Sequence, residues 1–312
     1  MTQTGSMEDR DGWIWLDGRL VPWREARLHV LSHTLHHGMG IFEGVRAYET
    51  SDGPAIFRLQ DHTERFLRSA HILQIALPFD SEVLKAAQLA VVAANGDREC
   101  YIRPIAFYGG ERVGVSARGN TVHVAIAVWP WDAYLGSEAK SEGIRVKTSS
   151  FSRHHVNSVM VHAKACGHYI NSMLANHEAV SQGYGECLML DVHGYAAEGS
   201  TENLFMVRGG VLHTPEPSVV LEGITRDSVM ALARDMGMQV VERKITRDEI
   251  FCADEAFFTG TAAEITPIRE LDDRRISTGV PGPVTRSIQE SYLATVRGRN
   301  PKRADWLSLV RS

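Results

Sequence analysis

The chain has 312 residues, of which 44% are apolar and 23% are charged, and its formal net charge is −5. This composition is ordinary for a globular protein with a buried core, and the negative balance argues against a nucleic-acid-binding surface. The polar N-terminus and the absence of eighteen consecutive apolar residues predict neither a signal peptide nor a membrane span. Four scattered cysteines without a C-x-x-C pair indicate free thiols in a reducing cytoplasm.

The N-terminal part is predicted to alternate strands with two helices. An Asp-Gly pair between short apolar runs predicts a tight hairpin over residues 13–23. Helices are predicted over residues 61–75 and 81–94, the second closed by Asn95-Gly96. The other strands predicted in this part are residues 41–48, 55–58, 99–107 and 121–129.

The polar, glycine-punctuated stretch 133–143 is interpreted as a linker between an N-terminal domain (1–132) and a C-terminal domain (144–312). In the C-terminal domain, Thr246 and Glu249 form the pattern of a capping box for a short helix. The other helices predicted there are residues 163–182, 225–236 and 283–296. The strands predicted there are residues 144–149, 186–190, 195–197, 203–207, 211–214, 239–244 and 255–259. Because strands dominate and helices lie in the connections, the predicted fold class is α+β in two parts.

Lys164 and Glu198 form the first candidate functional pair. Lys164 has small neighbours, Ala163, Ala165, Cys166 and Gly167, and is predicted to open an apolar helix. Low polarity lowers the pKa of a lysine and makes it a nucleophile. An amine that forms a Schiff base, with a carboxylate that keeps a pyridine nitrogen protonated, is what pyridoxal phosphate (PLP) requires of a protein. Taken singly, each residue is also compatible with an ordinary surface position.

Two turns downstream of Glu198 are candidate phosphate sites. In the first, Gly223 allows close backbone approach and Thr225 is predicted to cap a helix whose free N–H groups attract an anion. In the second, Gly260 follows a strand and precedes Thr261 and Ala262. Each turn by itself is more typical of plain helix capping, and the phosphate interpretation depends on their occurring together downstream of the Lys164 and Glu198 pair.

Arginines and histidines complete the set of candidates. Arg103 lies within an apolar strand, where a buried guanidinium needs an anionic partner, and it is therefore a candidate ligand for a carboxylate. Arg65 lies on the first predicted helix, where an exposed side chain is the commoner case. The histidines lack the spacing of a metal site, so no metal is predicted.

Seven ordered motifs resemble those of one family. They are HTLHHGMGIFEGVRAY, YIRP, PWDAYLG, AKACGHY, EGSTENLF, LEGITRD and FFTGTAAEITPIREL. In this order they resemble the branched-chain amino acid aminotransferases of PLP fold type IV, and the resemblance runs from about residue 14 to residue 306. It implies a smaller N-terminal α/β domain and a larger, barrel-like C-terminal domain. It also implies amino acid and 2-oxo acid substrates and assembly at least into homodimers.

The resemblance implies a role for each matching residue. Lys164 would form the Schiff base and act as general acid and base, Glu198 would pair with the pyridine nitrogen, and Tyr169 would contact the ring oxygen. The phosphate group is assigned to Arg65, Ile224, Thr225 and Thr261. The substrate α-carboxylate is assigned to Tyr101 and to the N–H groups of Thr261 and Ala262. The side-chain carboxylate of glutamate is assigned to Arg103 and Tyr134, and the apolar side-chain pocket to Phe42, Gly44 and Trp131.

One position departs from the family pattern. His37 stands where bacterial members usually have a tyrosine that contacts the substrate, so the resemblance implies an altered substrate pocket there. The alternatives within the fold type are a D-amino acid aminotransferase, an R-selective amine transaminase and an aminodeoxychorismate lyase. The YIRP strand and the GTAAEITP stretch favour transamination of branched-chain L-amino acids with 2-oxoglutarate. A silent PLP-fold binding protein and a metal hydrolase remain alternatives from other classes.

Overall fold

The computed structural model of the chain describes residues 6–131 and 137–311. Its helices are α1 (His33–His37), α2 (Leu59–Ile72), α3 (Ser81–Asn95), α4 (Ser137–Glu142), α5 (Tyr169–Ser181), α6 (Ile224–Asp235), α7 (Arg247–Phe251) and α8 (Pro283–Val296). Its strands are β1 (Trp13–Leu16), β2 (Arg19–Pro22), β3 (Gly40–Phe42), β4 (Val45–Thr50), β5 (Gly53–Phe57), β6 (Cys100–Tyr108), β7 (Val122–Pro130), β8 (Ile144–Thr148), β9 (Glu186–Leu190), β10 (Ala196–Glu198), β11 (Asn203–Arg208), β12 (Val211–Thr214), β13 (Val240–Glu242), β14 (Glu255–Gly260), β15 (Glu264–Leu271), β16 (Arg274–Arg275) and β17 (Leu307–Leu309).

The described residues form two compact units that are discontinuous along the chain. The first comprises residues 6–131, 163–167 and 301–311, and the second comprises residues 137–162 and 168–300. The predicted domain limits at residues 132 and 144 stay a prediction. Within the described residues, no helix is long and apolar enough to cross a membrane.

The first unit is built on an eight-stranded sheet in the order β17-β5-β4-β6-β7-β1-β2, with β3 also paired to β6. The predicted hairpin between β1 and β2 is confirmed, since Asp17 and Gly18 both have positive φ (47° and 95°), as a two-residue turn of the favoured hand requires. Helices α2 and α3 pack against the sheet through a buried apolar cluster that includes Ile102, Ala106, Ile126 and Phe66. Since side chains alternate along β6, residues 101, 103, 105 and 107 lie on the opposite face of the sheet.

The predicted strand over residues 41–48 is wrong in one respect, because the structure breaks it at Glu43 and Gly44. The two parts, β3 and β4, each pair with β6. The break has a physical cause: the buried side chain of Glu43 bonds to residues of α2. A Cβ at Gly44 would overlap the hydroxyl of Tyr101. Tertiary contacts therefore interrupt a run of residues that favours one continuous strand.

The second unit contains a closed sheet, which confirms the barrel-like architecture that the resemblance implies. Its strands follow the order β10-β9-β8-β15-β14-β11-β12-β13, β16 pairs with β15, and β10 also pairs with β11. That last pairing closes a ring of six strands, which removes the exposed sheet edges at this point. The capping box at α7 is confirmed, since Thr246 and Glu249 bond to each other's backbone. Strand β15 was not predicted, because Pro267 and charged residues interrupt its apolar pattern.

Candidate active site

Lys164 lies ahead of the helix to which the sequence assigned it. Helix α5 begins only at Tyr169, so the predicted helix start at residue 163 is wrong. The reason is a close backbone contact, in which the Gly167 N–H group donates to the Gly38 carbonyl at 3.0 Å. A side chain on either glycine would press against the other backbone, so both small residues serve this approach. The contact holds the chain around Lys164 out of the helix.

Two hydrogen bonds fix the main chain of Lys164 within the first unit. Its N–H group donates to Ser69 Oγ at 3.0 Å, and its carbonyl oxygen accepts a hydrogen bond from the Phe42 N–H group at 3.1 Å. The Lys164 amine lies 5.1 Å from the centroid of the Phe42 ring. The half-buried side chain therefore extends along the Phe42 ring from a main chain that two hydrogen bonds hold in place.

The amine of Lys164 has a lowered pKa, as the sequence predicted. Burial and, to a smaller extent, the charge of Arg65 together lower the pKa of Lys164 to about 8, against the opposing charge of Glu43. With this pKa, roughly one tenth of the amine is uncharged at pH 7. Lys164 is therefore suited to act as a nucleophile and as a proton carrier near neutral pH.

Arg65 is held by a buried ion pair that the sequence analysis missed. Its Nε and Nη2 atoms donate to the two carboxylate oxygens of Glu43 at 2.7 and 2.9 Å. His62 Nδ1 lies 2.8 Å from Glu43 Oε2. All three residues are at least 97% buried. Since His62 and Arg65 are three residues apart on α2, they lie on one helix face and meet the same carboxylate.

The charges in this cluster follow from its geometry. Burial alone would raise the pKa of the Glu43 carboxyl, but the charge of Arg65 and the hydrogen bond from His62 hold it well below its usual range. Burial lowers the pKa of His62. Glu43 is therefore an acceptor-only carboxylate, and neutral His62 must carry its proton on Nδ1 to donate to it. The cluster pairs one positive charge with one negative charge.

Arg103 lies on aromatic rings rather than beside a carboxylate. Its guanidinium carbon is 4.8, 5.2 and 5.9 Å from the ring centroids of Phe42, Tyr101 and Trp129. The centroid of Trp131 lies 4.6 Å from that of Tyr101. Arg103 forms no ion pair with a described carboxylate, and its buried Nε lacks a hydrogen-bond partner among the described residues. The cluster thus presents an anion-binding group within an apolar surface.

His37, a further predicted substrate residue, has its contacts elsewhere in the first unit. His37 is exposed at the end of α1, where its Nε2 lies 3.3 Å from the Val113 carbonyl oxygen and its ring contacts those of His33 and His36. These contacts do not include the Arg103 cluster. Tyr134 lies outside the described residues. No group of three or more histidine, cysteine or acidic side chains in residues 6–131 and 137–311 is arranged to hold a metal ion.

Glu198 lies at the end of β10 in the second unit and is 95% buried. Arg153, which the sequence analysis missed, places its Nε 2.6 Å from Glu198 Oε1. The contact is an ion pair without a directed hydrogen bond, so Oε1 accepts none from the described residues. Glu198 Oε2 accepts from Asn203 Nδ2 at 3.2 Å and from the Leu221 N–H group at 3.3 Å. A buried carboxylate that pairs with a guanidinium, and whose Oε1 accepts no directed hydrogen bond from the described residues, is suited to accept one from a ligand.

The first candidate phosphate turn is the N-terminus of α6. The structure corrects the predicted cap, because Gly223 is the N-cap residue and Thr225 lies within the first turn. Of the side chains that the structure describes, none caps this helix. The N–H groups of Ile224 and Thr225, both in buried residues, therefore belong to a helix start suited to an anion.

The second candidate turn is the hairpin between β14 and β15. Gly260 pairs with Glu264, so Thr261 and Ala262 lie in the three-residue loop that joins the strands. A side chain at Gly260 would lie 3.5 Å from Glu202 Cγ, so this turn runs beside the segment that follows Glu198. Tyr169, the first residue of α5, is half-buried in the same unit.

The missed residues had weak signals in the sequence. Glu43 is a carboxylate inside an apolar strand pattern, which requires a buried cation. His62 and Arg65, three residues apart on a predicted helix, supply the matching pair. Arg153 lies in an irregular stretch after a predicted strand, where nothing local indicates its carboxylate partner. Asn203 is one residue of the motif ENLF, and its contacts come from sheet pairing.

Comparisons with known proteins show the family to which the chain belongs. A family model described as amino-transferase class IV matches residues 40–271, and the chain belongs to this family. The branched-chain-amino-acid aminotransferase of Pseudomonas aeruginosa (strain PAO1) is 55% identical over 306 residues, which cover 98% of this chain and 100% of that protein. A crystal structure of a T.th. branched-chain amino acid aminotransferase with pyridoxamine 5'-phosphate has a TM-score of 0.94 and 50% identity, covering 97% of this chain and 99% of that chain. A structure of the same name complexed with N-(5'-phosphopyridoxyl)-L-glutamate has a TM-score of 0.93 and 49% identity, with the same coverage.

Proposed function

We propose that this chain transfers amino groups between branched-chain L-amino acids (leucine, isoleucine and valine) and 2-oxoglutarate, with PLP as cofactor. The observation that carries the proposal is Lys164, whose amine has a pKa of about 8 and whose main chain is bonded on both sides. A lysine of this kind is what PLP enzymes require for covalent attachment. Similarity along nearly the whole chain to the Pseudomonas aeruginosa enzyme supports the substrate class.

The residues present fit the cofactor. Buried Oε1 of Glu198 is an acceptor without a hydrogen-bond donor among the described residues, which suits the N–H group of a protonated pyridine. The uncapped N-terminus of α6 suits a phosphate group, because its N–H groups and its positive dipole end both attract an anion. Arg65 is the cation that we assign to the same phosphate. Tyr169 and Thr261 are proposed for the ring oxygen and the phosphate, respectively.

The proposed mechanism divides the work among these side chains. When bound, PLP supplies an aldehyde carbon that takes up the amino group and a ring that accepts electrons. Lys164 Nζ takes the proton from the substrate Cα, which its lowered pKa favours near neutral pH. The Glu198 carboxylate would hold a proton at the ring nitrogen, and Arg153 forms an ion pair with this carboxylate.

Side-chain selection is assigned to the aromatic cluster in the first unit. Phe42, Tyr101 and Trp131 offer apolar surface for a branched side chain, while Arg103 offers two charged N–H donors to the second carboxylate of glutamate. We also assign the α-carboxylate to Tyr101 and to the N–H groups of Thr261 and Ala262. Gly44 leaves room for the Tyr101 hydroxyl. Tyr134 and His37 are retained as proposed substrate contacts on the family pattern alone.

We further propose that the chain assembles at least into homodimers and works in the cytoplasm. Helix α5 supports assembly, because Ile170, Met173 and Leu174 are 64%, 55% and 45% exposed in the single chain. All four cysteines are free, which supports a reducing compartment. Sedimentation equilibrium of the purified protein tests the assembly, and a monomer at all concentrations would contradict it.

The reaction is tested with a panel of L-amino acids assayed against 2-oxoglutarate, with glutamate measured as product. Leucine, isoleucine and valine should be the best donors, and D-leucine and D-alanine should be inactive. Turnover of the D-enantiomers in preference would instead indicate a D-amino acid or R-selective enzyme.

Lys164→Ala should abolish turnover and the visible absorbance of the covalently bound cofactor, because no other group can replace the amine. Lys85→Ala is a matched control, since Lys85 pairs with Glu82 on the surface of α3 in the same unit. Normal turnover by the Lys164 variant would refute the proposed function.

A further inference from the structure

Asn203 occupies the point where three strands of the second unit meet. It is the first residue of β11, where it pairs with Glu198 on β10 and with Thr259 on β14. The residue is 94% buried. The candidate ring-nitrogen carboxylate is the last residue of β10, and the second candidate phosphate turn follows β14. Sheet pairing therefore places the main chain of Asn203 next to both strands, and its amide side chain lies beside the carboxylate.

The amide of Asn203 joins the carboxylate to the segment that leads into α6. Nδ2 donates to Glu198 Oε2 at 3.2 Å and to the Leu221 carbonyl oxygen at 3.0 Å. The Leu221 N–H group donates to the same Glu198 oxygen at 3.3 Å. Because both partners of Nδ2 are acceptors only, the orientation of the amide is determined. Glu198, Asn203 and Leu221 thus form a closed triangle of hydrogen bonds.

The other end of the amide contacts the N-cap of α6. A Cβ at Gly223 would overlap Asn203 Oδ1, so the amide oxygen occupies the space that any side chain at Gly223 would need. Gly223 precedes Ile224, the first residue of the helix. One planar group therefore bonds to the Glu198 carboxylate and packs against the turn that presents the helix N-terminus.

Few other side chains can replace this amide. Aspartate has the same shape but lacks both N–H donors and adds a charge beside Glu198. Serine supplies one donor on a shorter side chain, and alanine supplies none. The two acceptors require two donors at one planar nitrogen, which the primary amide provides.

We propose that Asn203 is a positioning residue that sets the separation between the Glu198 carboxylate and the N-terminus of α6. The inference rests on the proposed function, in which these two groups bind the ring nitrogen and the phosphate of one rigid cofactor. A rigid ligand held at two ends is sensitive to the spacing of its contacts. For comparison, a displacement of about 1 Å in a reacting group can lower a reaction rate about 100-fold. Asn203 therefore controls binding of the whole cofactor more than binding of either end.

The test compares two ligands of the cofactor-free protein, PLP and inorganic phosphate. Asn203→Ala should weaken PLP binding about 10- to 100-fold, measured by titration of cofactor fluorescence or absorbance. Inorganic phosphate, measured by its competition with PLP, should bind within about twofold of the unaltered protein, because it needs only the helix N-terminus. Asn203→Ser, which keeps one donor, should be intermediate and serves if the alanine variant fails to fold.

Asn176→Ala is the matched control. Asn176 Nδ2 also donates to a buried carboxylate of the second unit, that of Glu186, at 3.2 and 3.3 Å. This variant should bind PLP as the unaltered protein does. If the Asn203 variants weaken the binding of PLP and of phosphate equally, Asn203 only builds the turn. If PLP binding is unchanged, Asn203 sets no spacing. Either result overturns the proposal. Absence of PLP binding by the unaltered protein would instead refute the proposed function.

Discussion

Replacement of Glu43 by glutamine should destabilise the first unit strongly. Glutamine keeps the shape of the side chain but removes the charge, and its amide nitrogen faces donors of Arg65 or His62. The carboxylate is fully buried and accepts hydrogen bonds from Arg65 at 2.7 and 2.9 Å and from His62 at 2.8 Å. Removal of one partner from a buried ion pair costs about 3–5 kcal/mol. We expect a loss of this size in the free energy of unfolding at pH 7.

Tryptophan fluorescence can follow this loss selectively. All six tryptophans of the chain belong to the first unit: Trp13, Trp15, Trp23, Trp129, Trp131 and Trp306. Urea unfolding of the cofactor-free protein, followed by their emission, therefore reports on the unit that contains Glu43. The matched control is Asp61→Asn, because Arg58 holds Asp61 on the same helix by two bonds of 2.6 and 2.8 Å, but the Asp61 side chain is 39% exposed. Although Arg58 is buried, water screens the partly exposed Asp61 carboxylate, so its replacement should cost about 1 kcal/mol, less than that of the fully buried Glu43.

The pH dependence gives a second measure of the same interaction. The pKa of folded Glu43 lies well below its usual range, so its contribution is fully present above the ordinary glutamate pKa of about 4.3 and is lost as the pH falls toward the folded value. The difference between the unaltered protein and Glu43→Gln should be constant from about pH 6 to 8 and shrink in acid. A loss no greater than that of Asp61→Asn, or a difference that grows in acid, would refute the reasoning.

Two further predictions concern the aromatic cluster. Arg103→Ala should raise KM for glutamate and 2-oxoglutarate about 10- to 100-fold, since a hydrogen bond to a charged group contributes about 1.5–3 kcal/mol, and should affect leucine less. Equal effects on both substrate types, or the same effect from the exposed control Arg19→Ala, would remove this role for Arg103. Gly44→Ala should displace the Tyr101 ring, because the new Cβ overlaps the Tyr101 hydroxyl. We expect the free energy of unfolding to fall by about 1–3 kcal/mol and the melting temperature to fall with it. Gly114→Ala, at a position with open space, should leave stability unchanged, and equal melting temperatures for the two variants would contradict the predicted clash.

Local sequence patterns accounted for most of the elements. The hairpin at Asp17-Gly18 and the capping box at Thr246 depend on residues that are close along the chain, and both formed as predicted. The helix containing Lys164 did not, because the bond from Gly167 to Gly38 joins residues far apart in the sequence. Neighbouring residues indicate local conformation, whereas such a contact depends on the assembled fold.

The candidate site shows the same division. Its motifs identified Lys164 and Glu198 as residue types for PLP chemistry, because the amine and the carboxylate are chemical properties of the side chains themselves. Only the tertiary structure determined that Ser69 fixes the main chain of Lys164 and that Arg153 pairs with Glu198. These partners lie 95 and 45 residues away, and no periodic pattern links them. The sequence thus determines which groups are available for the reaction. The folded chain determines which charges and main-chain contacts surround them, because desolvation and ion pairing depend on distances in three dimensions.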